Sequence, residues 1–190
     1  MKKLLRTPAL KKWLPAVIVL IYLMPIILVK AAFTGYLKIP DIDGESTDSD
    51  HKEWIDILSV SSGISRPVSV AGSSRVVGNP AFQEVIFVKR IDKSTPVLME
   101  NICKGKVFPK VEIELKNTED AGRVSYLKYK LENVLITSFS SGDSTSGDTV
   151  PTENVSLNFT KIEMSSSATD SQGNVLYSTN VTCDVDGPSS

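Results

Sequence analysis

The chain has 190 residues, about one domain's worth, and its 41% hydrophobic content suffices for a single packed core. Its formal charge of −1 is unevenly spread: residues 1–31 hold six bases (Lys2, Lys3, Arg6, Lys11, Lys12, Lys30) and no acid, which leaves residues 32–190 with fifteen bases against 22 acids. That acidic body excludes nucleic acid as a partner, because phosphate binding needs a basic footprint.

Residues 1–31 read as separate from the fold. Trp13 to Val29 carries no charge and follows a basic stretch, the layout of a secretory signal, with Val29-Lys30-Ala31 offering small residues at −3 and −1 for cleavage and a second chance after Ala32. The run is slightly short of the roughly 20 apolar residues of a full span and contains Pro15 and Pro25, yet an uncleaved anchor with its basic end in the cytoplasm is the competing reading. A start at Met24 would remove most of the segment and return the chain to the cytoplasm. Signal peptide, anchor and internal start all stay open. Membrane contact, where there is any, is confined to residues 1–31, and residues 32–190 form the folded domain.

From Phe33 onward the chain reads as mainly β with one helix. Phe33 to Ile39 is a short strand stopped by Pro40, and Asp41 to Asp50 is an acidic, solvated turn region. Trp54 to Val60 is rich in β-formers. Ser65 to Pro80 has little periodicity and reads as a long loop, of a length that is usually functional or mobile. Phe82 to Arg90 is a strand apolar on both faces, so both are expected to be buried.

Helix signals agree with one another between Ser94 and Gly105. Ser94 or Thr95 is the N-cap, Pro96 sits where its missing N–H costs nothing, and Gly105 stops the helix. Leu98, Ile102 and Met99 form its expected buried stripe. Val111, Ile113 and Leu115 then alternate inward along a strand. After a turn at Ala121-Gly122, a long strand runs from Arg123 to Phe139. In it Leu127, Tyr129 and Leu131 share one face while Val134 and Ile136 take the other. Such a switch near Asn133 predicts a bulge or a bend that closes a barrel. Ser140 to Thr149 reads as a polar loop; Val155, Leu157, Phe159 and Ile162 mark one strand, and Val175 to Val185 the last. Seven or more strands with one helix predict a small closed barrel or sandwich.

The residues offer little chemistry. A serine triad would have to rest on His51, the chain's one histidine, and no serine is singled out as its partner. Asp41, Asp43, Glu45, Asp48 and Asp50 lack the spacing of a calcium loop. Two cysteines, Cys103 and Cys183, cannot build a structural zinc site with one histidine; they read as separate thiols or one disulfide. Three sequons, at Asn154, Asn158 and Asn180, are what a Ser/Thr-rich chain yields by chance. No enzyme activity, cofactor or metal is expected.

Phe87 to Leu98, with Asp92-Lys93-Ser94-Thr95-Pro96 at its centre, resembles the central motif of the Hcp (haemolysin-coregulated protein) family of type VI secretion systems. Tyr36 to Ile39 with Asp43 to Ser46, Ile55 to Val60 with Gly63 to Ser65, Tyr126 to Tyr129, Leu131 to Ser138 and Pro151 to Glu163 resemble the family's other elements in the same order. The resemblance covers about Phe33 to Tyr177. It implies a closed antiparallel β-barrel with one flanking α-helix, assembled into hexameric rings. Stacked rings would form the inner tube of a contractile machine, with spike, sheath and effector proteins as partners, expelled from the cytoplasm and able to carry effectors in its lumen. It also implies that Val70, Ala71, Gly72, Ser73, Ser74, Arg75 and Val76 take part in stacking one ring on the next.

Two features depart from the family pattern. Residues 1–31 have no counterpart in most members, and Met164-Ser165-Ser166 stands where aromatic residues are frequent. The first keeps a rival reading in view: an exported or membrane-tethered Hcp-like binding module that forms no tube.

Overall fold

The computed structural model describes residues 32–118, 124–142 and 151–185. The signal or anchor expected in residues 1–31, the Ala121-Gly122 turn, residues 143–150 of the polar loop and residues 186–190 of the tail lie outside them. Among the described residues no helix is long and apolar enough to cross a membrane.

Among the described residues the fold is mainly β with one helix. Eight strands make the main sheet: β1 (Ala32–Lys38), β2 (Ile55–Ser61), β7 (Val85–Arg90), β8 (Val107–Thr118), β9 (Val124–Gly142), β10 (Thr152–Asn158), β11 (Lys161–Thr169) and β12 (Val175–Asp184). Four short strands pair apart from it: β3 (Ile64–Ser65) with β6 (Ala81–Phe82), and β4 (Val68–Ala71) with β5 (Ser74–Val77). All pairings are antiparallel. The order in the main sheet is β10-β7-β2-β1-β8-β9-β11-β12, and β10 also pairs with β9. β9 manages this by length: residues 124–132 pair with β11 and residues 135–142 with β10.

Between those halves stands Asn133, whose φ is +51. The inward face switches here as expected: Tyr129 and Leu131 are buried before it, Val134 and Ile136 after it. The expected bulge is not at this point, because the β8–β9 register does not shift between Val107↔Leu135 and Thr118↔Val124, although Pro109 and Asn133 themselves are unpaired. Instead β8 switches face with its partner, from Val111 and Ile113 to Phe108. Pro109 stands across from Asn133 at the switch, and it has no N–H to give the ladder. The register shift lies a few residues further on, against β10, where Ser138 pairs with Ser156 and Ile136 with Leu157, leaving Thr137 unpaired.

The helix α1 (Thr95–Lys104) follows the expected boundaries. Pro96 occupies its first turn, and Gly105 closes it at φ +59, a left-handed value that a residue without Cβ adopts freely. Ser94 is the N-cap but bonds no helix N–H through its side chain. The buried stripe is Leu98 and Asn101 with half-buried Ile102, and Met99 faces solvent. Asn101 belongs there because its Nδ2 donates to Val97 O at 2.7 Å within the helix.

Several other expectations change. Val155, Leu157, Phe159 and Ile162 are all buried but mark two strands, β10 and β11, joined by Phe159-Thr160. β11 continues through Met164-Ser165-Ser166, so the missing aromatics do not end the strand. Ser140–Gly142 extends β9 instead of opening a loop. β7 is buried on one face only: Val85, Phe87 and Lys89 point inward while Ile86 is exposed. The acidic region is packed more closely than a solvated turn, with Ile42, Ser46 and His51 buried. The core gathers Leu37, Ile55, Val85, Phe87, Leu98, Phe108, Val111, Leu131 and Leu157, each without exposed surface.

Candidate functional site

The stretch 65–80 is a hairpin arm, not an unstructured loop. At its root Ile64 pairs with Phe82 and Ser65 with Ala81. Beyond Pro67, whose carbonyl accepts from Gly78 N at 2.9 Å, Val68 pairs with Val77 and Ala71 with Ser74. Two residues, Gly72 and Ser73, turn the chain. Gly72 takes φ +63, as the first central position of a tight hairpin loop requires.

The arm's apolar side chains are largely exposed. Val70 is 72% exposed, and Val68, Val76 and Val77 are each more than half exposed. Gly72, Ser73, Ser74 and Arg75 are exposed with them, so Val70 and Gly72 to Val76 lie together on one accessible element. Ala71 completes β4 beside them. Clustered exposed valines on a hairpin with unpaired edges are a sticky surface in water. Beside the arm's root lies an apolar cleft of about 250 Å³, lined among others by Ile64, Phe82, Phe159, Ile162, Met164 and Cys183. Cys183 is half-buried and Cys103 exposed on α1, and both are free thiols.

Asp92 to Pro96 do something different: they tie α1 to the sheet around a buried cation. Lys89 has no exposed surface, and its Nζ lies 2.7 Å from Glu153 Oε2 and 2.8 Å from Asp92 Oδ1. It also donates to Arg90 O at 2.8 Å and to Thr95 Oγ1 at 3.1 Å. Thr95 Oγ1 in turn donates to Glu153 Oε2 at 2.9 Å and accepts from Asp92 N at 3.2 Å. Asp92 Oδ1 accepts from Ser94 N at 2.8 Å and Ser94 Oγ at 2.5 Å. Lys93 contributes only its backbone, donating to Glu45 Oε1 at 3.0 Å. The motif's residue types therefore follow from the charge they satisfy: a buried ammonium needs paired, hydrogen-bonded acceptors. Alternation along β7 puts Lys89 on the Val85 and Phe87 face, a signal for its burial, but Glu153 is 64 residues away and has no local signature.

A second polar cluster surrounds His51. Its ring stacks on Tyr36 with centroids 4.1 Å apart and meets the edge of Trp54 at 4.9 Å. Asp48 accompanies it, held below the usual aspartate range first by the hydrogen bond with His51 and then by Asp50 N–H. Burial raises the Tyr36 phenol above its ordinary value. The ring nitrogens of His51 face Asp48 and Glu114 and, among the described residues, make no bond to a serine hydroxyl. Among the described residues no cluster of three or more histidine, cysteine or acidic side chains is arranged to hold a metal.

Comparisons with known proteins agree with this architecture. Residues 36–165 match the family model described as "Type VI secretion system effector, Hcp". Protein hcp1 of Pseudomonas aeruginosa is 35% identical over 130 residues, which span 68% of this chain and 80% of that protein. Among solved structures, one titled as a type six secretion system protein superposes with a TM-score of 0.70 at 23% identity, covering 81% of this chain and 96% of that one. Hcp1 from Salmonella typhimurium superposes with a TM-score of 0.59 at 25% identity, covering 76% of this chain and 98% of its own. The match over residues 36–165 contains the Lys89 knot, the His51 cluster and the whole arm, and by it the chain belongs to the Hcp family of type VI secretion proteins.

Proposed function

We propose that the chain is a structural subunit of the type VI secretion inner tube, active by self-assembly and not by catalysis. Copies join as hexameric rings, rings stack, and the lumen carries or delivers effectors. The observation that supports this most is the arm: within a family-matched domain, its valines are exposed on a paired hairpin. Residues 70–76 are then the stacking element, where one ring grips the next. The Asp92 to Pro96 motif is a structural tie that holds α1 in place. Pairing of β10 with both β7 and β9 supports a closed barrel as the subunit's body. Spike, sheath and effector proteins are the further partners.

Residues 1–31 are proposed as a signal peptide or membrane anchor and residues 32–190 as the Hcp-like domain. A used signal or anchor would place the chain outside the cytoplasm, whereas a start at Met24 would leave it cytoplasmic until expulsion. The apolar run from Trp13 to Val29 is the observation that favours the second reading, an exported or tethered module without a tube. Native mass spectrometry of the full chain, and of a form starting at Phe33, separates the two. Six chain masses support the ring, and a single chain mass at high concentration in both forms supports the tethered module.

A further inference from the structure

His51 has a carboxylate at each ring nitrogen, in a place the tube reading leaves without a role. Nδ1 lies 2.8 Å from Asp48 Oδ1, and Nε2 lies 3.4 Å from Glu114 Oε2 on β8. The ring itself is almost wholly buried. We propose that His51 is a protonation-controlled clasp: as an imidazolium it bridges Asp48 and Glu114 and fastens residues 41–54 to the sheet, and on losing its proton it lets that segment loosen.

The chemistry follows from donor counts. An imidazolium donates from both nitrogens, whereas neutral imidazole donates from one and points a lone pair at whatever faces the other. One of the two carboxylates then loses its partner. With the remaining proton on Nδ1, the nitrogen nearer its carboxylate, Asp48 keeps its bond and the Nε2 lone pair faces Glu114, so the contact to the sheet is the one that fails while Glu114 retains Lys128 Nζ at 2.8 Å.

The remaining groups around the ring do not supply a substitute. β1 offers the Tyr36 ring; β2 carries Asp56, which acts on the Tyr36 phenol. β8 contributes Glu114 and also Lys116, whose charge favours ionised Asp48. β9 brings Lys128 to Glu114. Trp54 presents its edge to His51, with Lys38 Nζ 5.6 Å from the Trp54 ring. Within the segment, backbone bonds such as Gly44 N to Glu53 O at 2.8 Å and Ser46 N to Trp54 O at 3.0 Å join its two limbs, while buried Ile42 and the Lys106 Nζ contact to Asp41 Oδ2 at 3.2 Å anchor its start. Its Glu45 accepts from Lys93 N, so loosening reaches the chain entering α1.

The acid end of the window has a definite sign: the carboxyl of Asp48 is depressed in the fold, so its contribution is present above the ordinary aspartate range and is lost as pH falls through its lowered value.

The test uses the full chain, whose one histidine gives one set of ring signals in NMR. Ring signals and amide exchange protection of Gly44, Ser46 and Glu53 are followed from about pH 5 to 8, where histidine titrates. Protection should fall roughly tenfold along the same curve as the ring signal, the size of one charge-assisted bond. His51→Phe keeps a stacked ring without a proton and should make protection independent of pH. If that variant does not fold, Glu114→Gln should shrink the pH-linked loss. A ring that titrates while protection stays flat, a ring signal that does not change over the range, or an undiminished loss in Glu114→Gln overturns the clasp.

Discussion

Lys89 and Glu153 meet at 2.7 Å with neither side chain exposed to solvent, joining β7 to β10 at the point where α1 begins. A buried pair of this kind adds little stability over an apolar replacement, but removing one partner strands the other charge. Lys89→Met should therefore destabilise the domain by about 3–5 kcal/mol, and Lys89→Met combined with Glu153→Leu should recover much of that loss. Urea unfolding midpoints measure both. A single variant within about 1 kcal/mol of the wild type would show that the knot is dispensable.

The arm predicts a separation of stability from assembly. Val70→Asp with Val76→Asp alters two exposed positions, so thermal stability should shift by no more than about 0.5 kcal/mol per site. Stacks of rings should disappear while single rings persist, as seen by sedimentation velocity. Unchanged stacking in this variant would remove the arm from the ring-to-ring contact.

Asn133 is the hinge of β9. Its φ of +51 suits asparagine or glycine, and its Nδ2 donates to Thr160 Oγ1 at 3.0 Å, holding the start of β11. Asn133→Val should cost roughly 2 kcal/mol or more from backbone strain and the lost bond, whereas Asn133→Gly should cost clearly less. Equal costs for the two variants, read from denaturation curves, would mean that backbone conformation is not what the position demands.

Asp48 carries a pH prediction. Its carboxyl should titrate below the ordinary value of 3.8, and His51→Phe should raise it toward that value by removing the first cause of the depression. Because the folded value is the lower one, the contribution is present above the ordinary range and declines as acid protonates the group. Carboxyl-carbon NMR titration of the wild type and His51→Phe reads this directly, and identical curves would break the link.

Much of the fold was legible in the chain, and the rest was hidden for physical reasons. Helix α1 could be bounded because Pro96 and Gly105 act locally. The face switch near Asn133 was visible because apolar parity changes between Leu131 and Val134. The arm was missed because its valines face no core and Val76 and Val77 stand adjacent, so no single buried face marks the strands. β11 was not separated from β10 because Val155 to Ile162 reads as one apolar run, and its later part, Met164-Ser165-Ser166-Ser167, has no apolar alternation; pairing to β9 and β12 on its two sides makes it a strand of its own. The knot and the clasp depend on contacts between distant positions, Lys89 with Glu153 and His51 with Glu114, which no local spacing encodes.

Negative-stain electron microscopy of the assembled full chain tests the tube assignment most directly. Class averages should show uniform six-fold rings with a central hole, stacking into short tubes as concentration rises. Monodisperse particles of single-subunit size at high concentration would contradict it.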